Sequence, residues 1–319
     1  MTNHRHDLPQ ARGEILLTDG GLETTLIFEN GIDLPEFASF PLLDDDDGRA
    51  ALLEYFLTYT DIARQHGVGI VLETPTWRAS ADWGRVLGYE AADLARLNAD
   101  AVDLLREVRE AYAPSTAVVI SGNVGPRGDG YEVGDQMTVE EAEDFHRAQV
   151  GALVDAGADL VTALTMTYVE EAIGFARAAA SVDVPAVVSF TVETDGTLPT
   201  GQPLGEAIAA VESATGGSPL SYGINCAHPD HFGDTVAAAV EAGETWVNRI
   251  GLVRANASRM SHEELDAAEE LDAGDRAELG GLYANLRRLL PNLTVMGGCC
   301  GTDHGHISEI ARSALAIDT

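Results

Sequence analysis

Residues 153–163 read LVDAGADLVTA, and the same arrangement recurs as IARQHGVGIVLE at 62–73 and as AVEAGETWVNR at 239–249. Each segment is the end of an amphipathic helix, followed by a glycine and then a short apolar run. Glycine suits the left-handed position that ends a helix, so the segments predict three helix-to-strand turns. The three glycines are spaced at 90 and 86 residues. If each interval holds two strand–helix units, one unit takes about 44 residues, which favours eight units.

The chain contains eight candidate strands, most of them short runs of Val, Ile and Leu without polar alternation. Such runs are typical of parallel strands that are buried on both faces. The candidates lie at 15–19, 69–73, 117–122, 159–163, 186–190, 221–226, 245–249 and 293–297. Their alternation with helical stretches predicts one α/β domain over 1–319, a (β/α)8 barrel of the TIM type with 1–13 as a flexible N-terminus. A doubly wound open sheet is the alternative fold, but neither a GxGxxG motif nor a P-loop supports it.

The composition is strongly acidic, since 19 arginines, no lysine and 52 acidic residues give a formal net charge of −33. Because 45% of the residues are hydrophobic, the charge indicates a globular protein with an acidic surface rather than a disordered chain. Such a surface repels polyanions, so nucleic acids and anionic membranes are not expected as partners. It is typical of adaptation to a salty cytoplasm, and it predicts stability that falls below about 1 M salt.

The chain has three cysteines: Cys226, Cys299 and Cys300. The polar N-terminus shows no signal peptide, and no run of about 18 apolar residues is present, which predicts a cytoplasmic protein with reduced thiols. All three cysteines follow predicted strands, and the active site of this barrel lies at such strand ends. Three thiols that meet there suit Zn²⁺, so we predict that the cysteines bind zinc and form the catalytic centre.

The cysteine pair is flanked by Gly297, Gly298 and Gly301, which would let the backbone turn so that both adjacent sulfurs face one centre. Two alternatives remain open for these residues. Buried cysteines can serve as small apolar side chains, and Cys299 and Cys300 can form a disulfide with each other.

Five further residues are candidates for orienting a substrate: Asp19, Gly20, Gly21, Glu73 and Asn256. Asp19 and Glu73 end predicted strands, Gly20 and Gly21 follow the first strand, and Asn256 lies in the connection after strand 7. Asp19 either binds a ligand or fixes the Asp-Gly-Gly turn, and Glu73 either acts in a pocket or accepts a structural hydrogen bond. Four histidines near the cysteines either complete a metal site or serve as caps and loop residues: His228, His231, His304 and His306. The long connections 22–47 and 252–275 are lids, contacts of a possible homo-oligomer, or solvated loops.

Asn225-Cys226, followed by Gly297-Gly298-Cys299-Cys300-Gly301-Thr302 and by His306-Ile307, resembles the zinc signature of the homocysteine S-methyltransferase family. The resemblance covers nearly the whole chain. Its other elements are Asp19-Gly20-Gly21 with Thr24, Glu73-Thr74-x-Thr76 with Ala79-Ser80, Gly125-Pro126, Ser189-Phe190-Thr191 and Pro203-Leu204. It implies a zinc-containing barrel that methylates a small-molecule thiol, with homocysteine as acceptor and methionine as product.

The chemistry of such a site follows from the charge on the metal. Three thiolates on Zn²⁺ leave a net charge of about −1, so an acceptor thiol at a fourth position would lose its proton and stay nucleophilic. No folate- or cobalamin-binding segment follows Ile307. We therefore expect a small activated methyl donor, such as a sulfonium or a betaine, or a separate partner protein.

Two positions depart from the family. Its members usually carry a glutamate after strand 4 that holds the amino group of homocysteine, and the aligned residue here is Leu164. The aromatic residue after strand 2, commonly tyrosine, is Trp77, which has no oxygen for a metal. Another thiol is therefore the alternative acceptor. The alternative of another class is a non-catalytic zinc-binding protein whose fourth ligand is His228 or His304.

Overall fold

The computed structural model describes residues 4–268 and 270–318 and contains a closed barrel of eight parallel strands. Each strand pairs with the next one in the chain, and β1 pairs with β8. The strands are β1 Leu16–Leu17, β2 Gly69–Glu73, β3 Val118–Val124, β4 Leu160–Met166, β5 Ala186–Phe190, β6 Ser221–Asn225, β7 Ile250–Ala255 and β8 Val295–Gly298. The (β/α)8 barrel that the sequence predicts is confirmed.

Helices follow the strands in alternation. They are α1 Leu22–Thr24, α2 Asp46–His66, α3 Ala81–Leu87, α4 Ala91–Tyr112, α5 Val139–Ala156, α6 Val169–Ser181, α7 Leu204–Thr215, α8 Pro229–Ala242, α9 His262–Asp266, α10 Arg276–Leu289 and α11 His304–Leu315. Short helical turns lie at Pro9–Arg12, Thr25–Glu29, Pro35–Phe37, Phe40–Asp44, Trp246–Arg249 and Ala316–Asp318. Within the described ranges, no helix has the length and apolarity needed to cross a membrane.

Apolar side chains pack on both sides of the barrel wall. Alternate strand residues form an inner cluster, which comprises Leu16, Val71, Val119, Leu160, Leu164, Val187, Leu252 and Val295, together with Leu8. The other strand residues pack outward against the helices, including the buried apolar stripe of α4. Burial on both faces explains why the strands show no polar alternation in the sequence.

All three glycines of the recurring segments end a helix, as predicted. Gly67, Gly157 and Gly243 end α2, α5 and α8 with φ angles of 71°, 101° and 72°. Each glycine N–H donates to carbonyls of the last helical turn, which satisfies groups that the helix itself leaves unpaired. After Gly67 and Gly157 the chain enters the next strand directly, as the recurring segments predict.

The third repeat leads to a correction. The segment 245–249 was predicted as strand 7, but Trp246–Arg249 forms a 3-10 turn and β7 begins at Ile250. The pairing of Tyr222 with Ile250 sets this register, and only long-range pairing of this kind distinguishes the two apolar runs. The shift places Arg254 near the C-terminal end of β7, and the following connection starts at residue 256.

Residues of the N-terminal segment contact the barrel between residue 4 and residue 13. The side chain of Leu8 is 5% exposed and joins the inner cluster, so it closes the N-terminal end of the barrel. The backbone N–H of His4 donates to Asp159, and the Arg5 guanidinium donates to the carbonyl of Ala158. These contacts join the described part of the segment to the barrel, and a flexible 1–13 segment stays a prediction.

Candidate active site

The three cysteines converge at the C-terminal end of the barrel. Cys226 directly follows β6, and Cys299 and Cys300 directly follow β8. Their Sγ atoms lie within 4.8 Å of one another, and in the described part of the chain they form the one group of potential ligands that could hold a metal ion. Around a tetrahedral Zn²⁺ with Zn–S distances near 2.3 Å, the sulfurs lie about 3.8 Å apart, so the cluster fits zinc.

Two of the three thiols are joined to each other. A disulfide links Cys226 and Cys299, whose Cα atoms are 5.5 Å apart, and Cys300 is free. The prediction of three reduced thiols is therefore wrong for this state of the site, and the disulfide is not the one weighed between the adjacent cysteines. The reason is that the ends of β6 and β8 approach to the Cα separation at which disulfides form. Because thiolates are the metal ligands, the pair must be reduced before it can bind a metal.

The glycines around the cysteine pair have two different roles. A side chain at Gly297 would collide with Thr18, and a side chain at Gly298 would collide with Thr302. Gly301 instead adopts a φ of 77°, in the left-handed region. The predicted backbone turn is thus found at Gly301, whereas Gly297 lets the end of β8 pack closely against the end of β1 and Gly298 leaves room for Thr302 in the turn after β8.

Gly20 and Gly21 also serve close packing. A Cβ at Gly20 would lie 2.6 Å from the backbone oxygen of Thr302, and a Cβ at Gly21 would lie 2.6 Å from that of Cys299. Both glycines line the cavity described below, as do Asp19 and the cysteines. These two candidate residues therefore bring the turn after β1 against the turn that carries the cysteine pair.

Asp19 is held in a buried ion pair. One carboxylate oxygen lies 2.9 Å from a guanidinium nitrogen of Arg254, and the other accepts a hydrogen bond from Tyr55 at 3.1 Å. Arg254 also donates to the carbonyls of Gly20 and Gly298, both at 3.0 Å. Burial raises the pKa of Asp19, and the charge of Arg254 opposes that rise. Arg254 is absent from the sequence-based candidates because strand 7 was placed five residues too early.

Three loop residues support the sulfurs. The Tyr131 hydroxyl lies 3.6 Å from Sγ of Cys300, and the Tyr131 ring stacks on His262 with centroids 4.1 Å apart. The Nε2 atom of His262 lies 2.9 Å from the carbonyl oxygen of Cys226, and its Nδ1 atom lies 3.1 Å from Glu193. Sequence reasoning missed these residues because they lie in the loops after β3, β5 and β7, beyond the strand ends that the search considered.

Of the four histidines near the cysteines in sequence, His228 caps α8, His231 lies in α8, and His304 and His306 lie in the first turn of α11. None belongs to the metal-binding group found among the described residues. His228 accepts a hydrogen bond from the N–H of Asp230 at the start of α8, and burial lowers its pKa to about 4. His306 lies 2.7 Å from Asp303, with which it caps α11. His231 contacts the carbonyl of Arg259. His304 is exposed.

Glu73 and Asn256 are both buried, but they occupy different places. Glu73 is 3% exposed at the end of β2, and burial raises its pKa to about 7. Its Oε2 atom has no hydrogen-bond partner among the described residues. Asn256 does not line the cavity; its Oδ1 atom has no hydrogen-bond partner among the described residues, and its backbone N–H donates to the carbonyl of Ala227.

A cavity of about 320 Å³ opens beside the three cysteines, between the loops that follow β1, β2, β3 and β4. Asp19 and Glu73 are part of its lining. A second cavity, of about 420 Å³, lies at the N-terminal end of the barrel, between the N-terminal segment and α10. Because the chemistry of this barrel takes place at the C-terminal strand ends, the smaller cavity is the candidate active site.

The two positions that depart from the family both line this cavity. Leu164 is 5% exposed, and Trp77 lies on the loop after β2. Leu164 is held in place through its neighbour Thr165, whose N–H donates to the side chain of Asn225 at 2.8 Å and whose hydroxyl accepts from it. The β4 wall of the cavity is therefore fixed and apolar.

Two charged residues complete the wall, and the sequence analysis singled out neither. Arg78 is 8% exposed and lies between two indole rings, with its guanidinium carbon 3.7 Å from the ring centroid of Trp83 and 4.5 Å from that of Trp77. Glu23 lies in α1, where one carboxylate oxygen accepts a hydrogen bond from Ser39 at 2.8 Å. Burial lowers the pKa of Arg78 and raises the pKa of Glu23.

Comparison with known proteins gives one consistent result. A family model described as homocysteine S-methyltransferase matches residues 16–314. The homocysteine S-methyltransferase of Escherichia coli is 30% identical over 228 residues, which cover 67% of this chain and 69% of that protein. A selenocysteine Se-methyltransferase of Brassica oleracea var. italica is 24% identical over 335 residues, which cover 97% of this chain and 92% of that protein.

Solved structures share the fold. The oxidized form of the homocysteine methyltransferase of Escherichia coli aligns with a TM-score of 0.76 at 24% identity, over 98% of this chain and 99% of that one. The metallated form of the same protein aligns with a TM-score of 0.72 at 24% identity, over 94% of this chain and 96% of that one.

Proposed function

Because the chain belongs to the homocysteine S-methyltransferase family, we propose that it transfers a methyl group from a small activated donor to a thiol bound beside Cys226, Cys299 and Cys300. The proposed acceptor is homocysteine, which becomes methionine. The acceptor gives its S–H proton to solvent, a bond forms between its sulfur and the methyl carbon, and the donor keeps the electron pair of the bond between that carbon and its own heteroatom, which breaks. The observation that carries the proposal is the convergence of three Sγ atoms beside a cavity.

The reduced cysteines would hold Zn²⁺ as three thiolates. A free thiol has a pKa near 8.5 and is mostly protonated at neutral pH, whereas bound zinc would deprotonate the acceptor thiol and keep it nucleophilic. Tyr131 would donate a hydrogen bond to Cys300, and His262 would fix the backbone of Cys226 through its carbonyl. Such outer contacts orient metal ligands and tune their basicity. Because free thiols persist under reducing conditions, we place this reaction in the cytoplasm.

The ion pair of Asp19 and Arg254 would keep the cysteines and the cavity in register. Arg254 connects the turn after β1, through Gly20, to the end of β8, through Gly298. Glu73, at the inner end of the cavity, would contribute a carboxyl group whose proton is held more firmly than usual. These residues position the reacting groups and exclude water from them.

The proposal is tested with protein that is reduced, purified without chelators and assayed for metal. The protein is then incubated with a matrix of thiols and methyl donors, among them S-methylmethionine, S-adenosylmethionine and betaine. We expect about one zinc per chain and a methylated thiol, with activity that a chelator removes and zinc restores. Less than about half a zinc per chain, together with no methylated thiol, would overturn the proposal.

A different thiol is the second candidate acceptor, and the apolar Leu164 in the cavity wall is the observation that favours it. A leucine offers no charge or hydrogen bond to an ammonium group. In a competition among thiols, a thiol that lacks the amino group would then be the best acceptor. If homocysteine is preferred, the second candidate is excluded.

A further inference from the structure

Glu23 and Arg78 place opposite charges on the wall of the cavity, in which the family's β4 glutamate is absent. We propose that Glu23 binds the ammonium group and Arg78 binds the carboxylate of an α-amino acid thiol, so that recognition of the acceptor has moved from β4 to the loops after β1 and β2. This inference rests on the proposed thiol methylation and names the class of its acceptor. The two residues would be determinants of specificity for that reaction.

Glu23 is a half-buried carboxylate that lacks a cationic partner among the described residues. Its hydrogen bond comes from the Ser39 hydroxyl, and Ser39 is itself 3% exposed. The ion pairs found between described residues include none to Glu23. Arg254 is committed to Asp19, and Arg78 lies near Asp129. A carboxylate taken out of water without a counter-charge is costly, and the ammonium group of a ligand would supply that charge.

Arg78 is fixed and only partly satisfied. The two indole rings hold its guanidinium plane, which is the arrangement of a cation–π contact on both sides. Its Nε atom is buried and has no hydrogen-bond partner among the described residues. Its other nitrogens lie 3.4 Å from the carbonyl oxygen of Gly128 and 3.6 Å from Asp129, which is half exposed. A carboxylate fits a guanidinium in two parallel hydrogen bonds, so it would satisfy what the protein leaves open.

The arrangement of the charges matches an amino acid whose thiol lies at the cysteines. Glu23, Arg78 and Cys300 all line the same cavity, of about 320 Å³. In homocysteine the ammonium and the carboxylate share one carbon, two methylenes away from the sulfur. An ammonium at Glu23 and a carboxylate at Arg78 therefore satisfy one small acceptor whose sulfur reaches the metal cluster.

The other carboxylates of the cavity are less suited to the ammonium group. Asp19 is neutralised by Arg254 at 2.9 Å. Asp129 and Asp266 are exposed, so water already solvates them. Glu73 is a buried acid whose raised pKa of about 7 disfavours a full charge at neutral pH. Glu23 is thus the carboxylate of this cavity that combines partial burial, a hydrogen bond from Ser39 and the lack of a cation among the described residues.

The test uses three acceptors with the zinc-loaded protein: homocysteine, 4-mercaptobutyrate, which lacks the ammonium, and 3-mercaptopropylamine, which lacks the carboxylate. Wild type should prefer homocysteine to both analogues by about 10- to 100-fold in kcat/KM, since a charge-assisted hydrogen bond contributes to each end. Glu23→Gln should lose about that factor with homocysteine and with 3-mercaptopropylamine, and should stay within about 3-fold of wild type with 4-mercaptobutyrate. Arg78→Gln should lose about that factor with homocysteine and with 4-mercaptobutyrate, and should stay within about 3-fold of wild type with 3-mercaptopropylamine.

Matched controls separate recognition from folding. Glu29→Gln and Arg85→Gln change exposed charges outside the cavity and should leave all three acceptors unaffected. Zinc content and the thermal melting curve of each variant report on folding, and Arg78→Lys provides a second variant that keeps the charge. Equal losses for all three acceptors in Glu23→Gln, or equal use of homocysteine and 4-mercaptobutyrate by wild type, would overturn this inference alone. If wild type methylates no thiol, the proposed function fails as well.

Discussion

The two sides of the active-site cavity are built in different ways. Cys226, Cys299 and Cys300 lie directly at strand ends, where glycines and buried hydrogen bonds leave little freedom. The other side consists of side chains such as Glu23 and Arg78, which project from loops. In the proposed function, the barrel frame would fix the group that activates a thiol, while residues outside the strands would select which thiol is activated. The two functions could therefore change independently of each other. Two observations indicate this: the side with the three cysteines resembles the family, whereas the side that would bind the acceptor is altered.

The largest effect is expected when one of the three cysteines is replaced; they form the sulfur side of the cavity. Replacing Cys226, Cys299 or Cys300 by serine should abolish methyl transfer and weaken zinc binding by more than about 100-fold, since even outer contacts of a metal site contribute 10- to 100-fold. Competition with a chromophoric chelator measures the zinc affinity. The matched variant on the other side is Glu23→Gln, which should keep its zinc. Equal zinc loss in both kinds of variant would contradict the separation of the two sides.

The next largest effect concerns the ion pair that joins the two sides. Arg254→Gln should leave the buried Asp19 without its counter-charge and lower the free energy of unfolding by about 3–5 kcal/mol. Denaturant titration of the reduced protein measures this. Arg259 is a matched control because its ion pairs, with Asp230 and Glu278, are exposed. Arg259→Gln should cost about 1 kcal/mol or less. Similar losses in both variants would show that Arg254 is not a structural link.

These two predictions also indicate what the sequence could and could not reveal. The barrel was predictable because each strand is a short apolar run after a helix-ending glycine, and the cysteine cluster was predictable because strand ends converge in this fold. The role of Arg254 was not predictable, because a buried charge inside a strand is tolerated only when it has a partner of opposite charge. That partner is Asp19, which lies 235 residues away in the sequence. Tyr131 and Arg78 were not predicted either, because the course of a loop depends on contacts that a local pattern does not contain.

A smaller effect is expected from Glu73, which also lines the cavity. Because its pKa in the folded protein is raised from an ordinary 4.5 to about 7, the folded state binds this proton more tightly than the unfolded state. The free energy of unfolding should therefore fall as pH rises from about 4.5 to about 7, by about 3 kcal/mol. Glu73→Gln should remove that fall and be the more stable form at pH 8.

The measurement is the difference in unfolding free energy between wild type and Glu73→Gln at a series of pH values. Glu54→Gln, which changes an exposed glutamate on α2, provides the control. A difference that does not vary with pH would show that Glu73 is not a buried acid in the folded protein.

The smallest effect is expected at the outer contacts of the sulfur side. Tyr131→Phe removes the hydroxyl that lies 3.6 Å from Sγ of Cys300 and should weaken zinc binding by about 10-fold, at the low end for such contacts. The chelator competition used for the cysteine variants measures this change. Tyr89→Phe is the control, since Tyr89 packs against Phe40 and does not line the cavity. An unchanged zinc affinity in Tyr131→Phe would show that the Tyr131 hydroxyl does not contribute to zinc binding by the cysteines.

The central claim is that the three cysteines bind zinc and that the acceptor thiol joins them. X-ray absorption at the zinc edge tests it most directly, because it counts the sulfur neighbours of the metal. With reduced protein we expect three sulfurs at about 2.3 Å, and a fourth after addition of homocysteine. Fewer than three sulfurs in the resting protein, or a count that homocysteine leaves unchanged, would contradict the account.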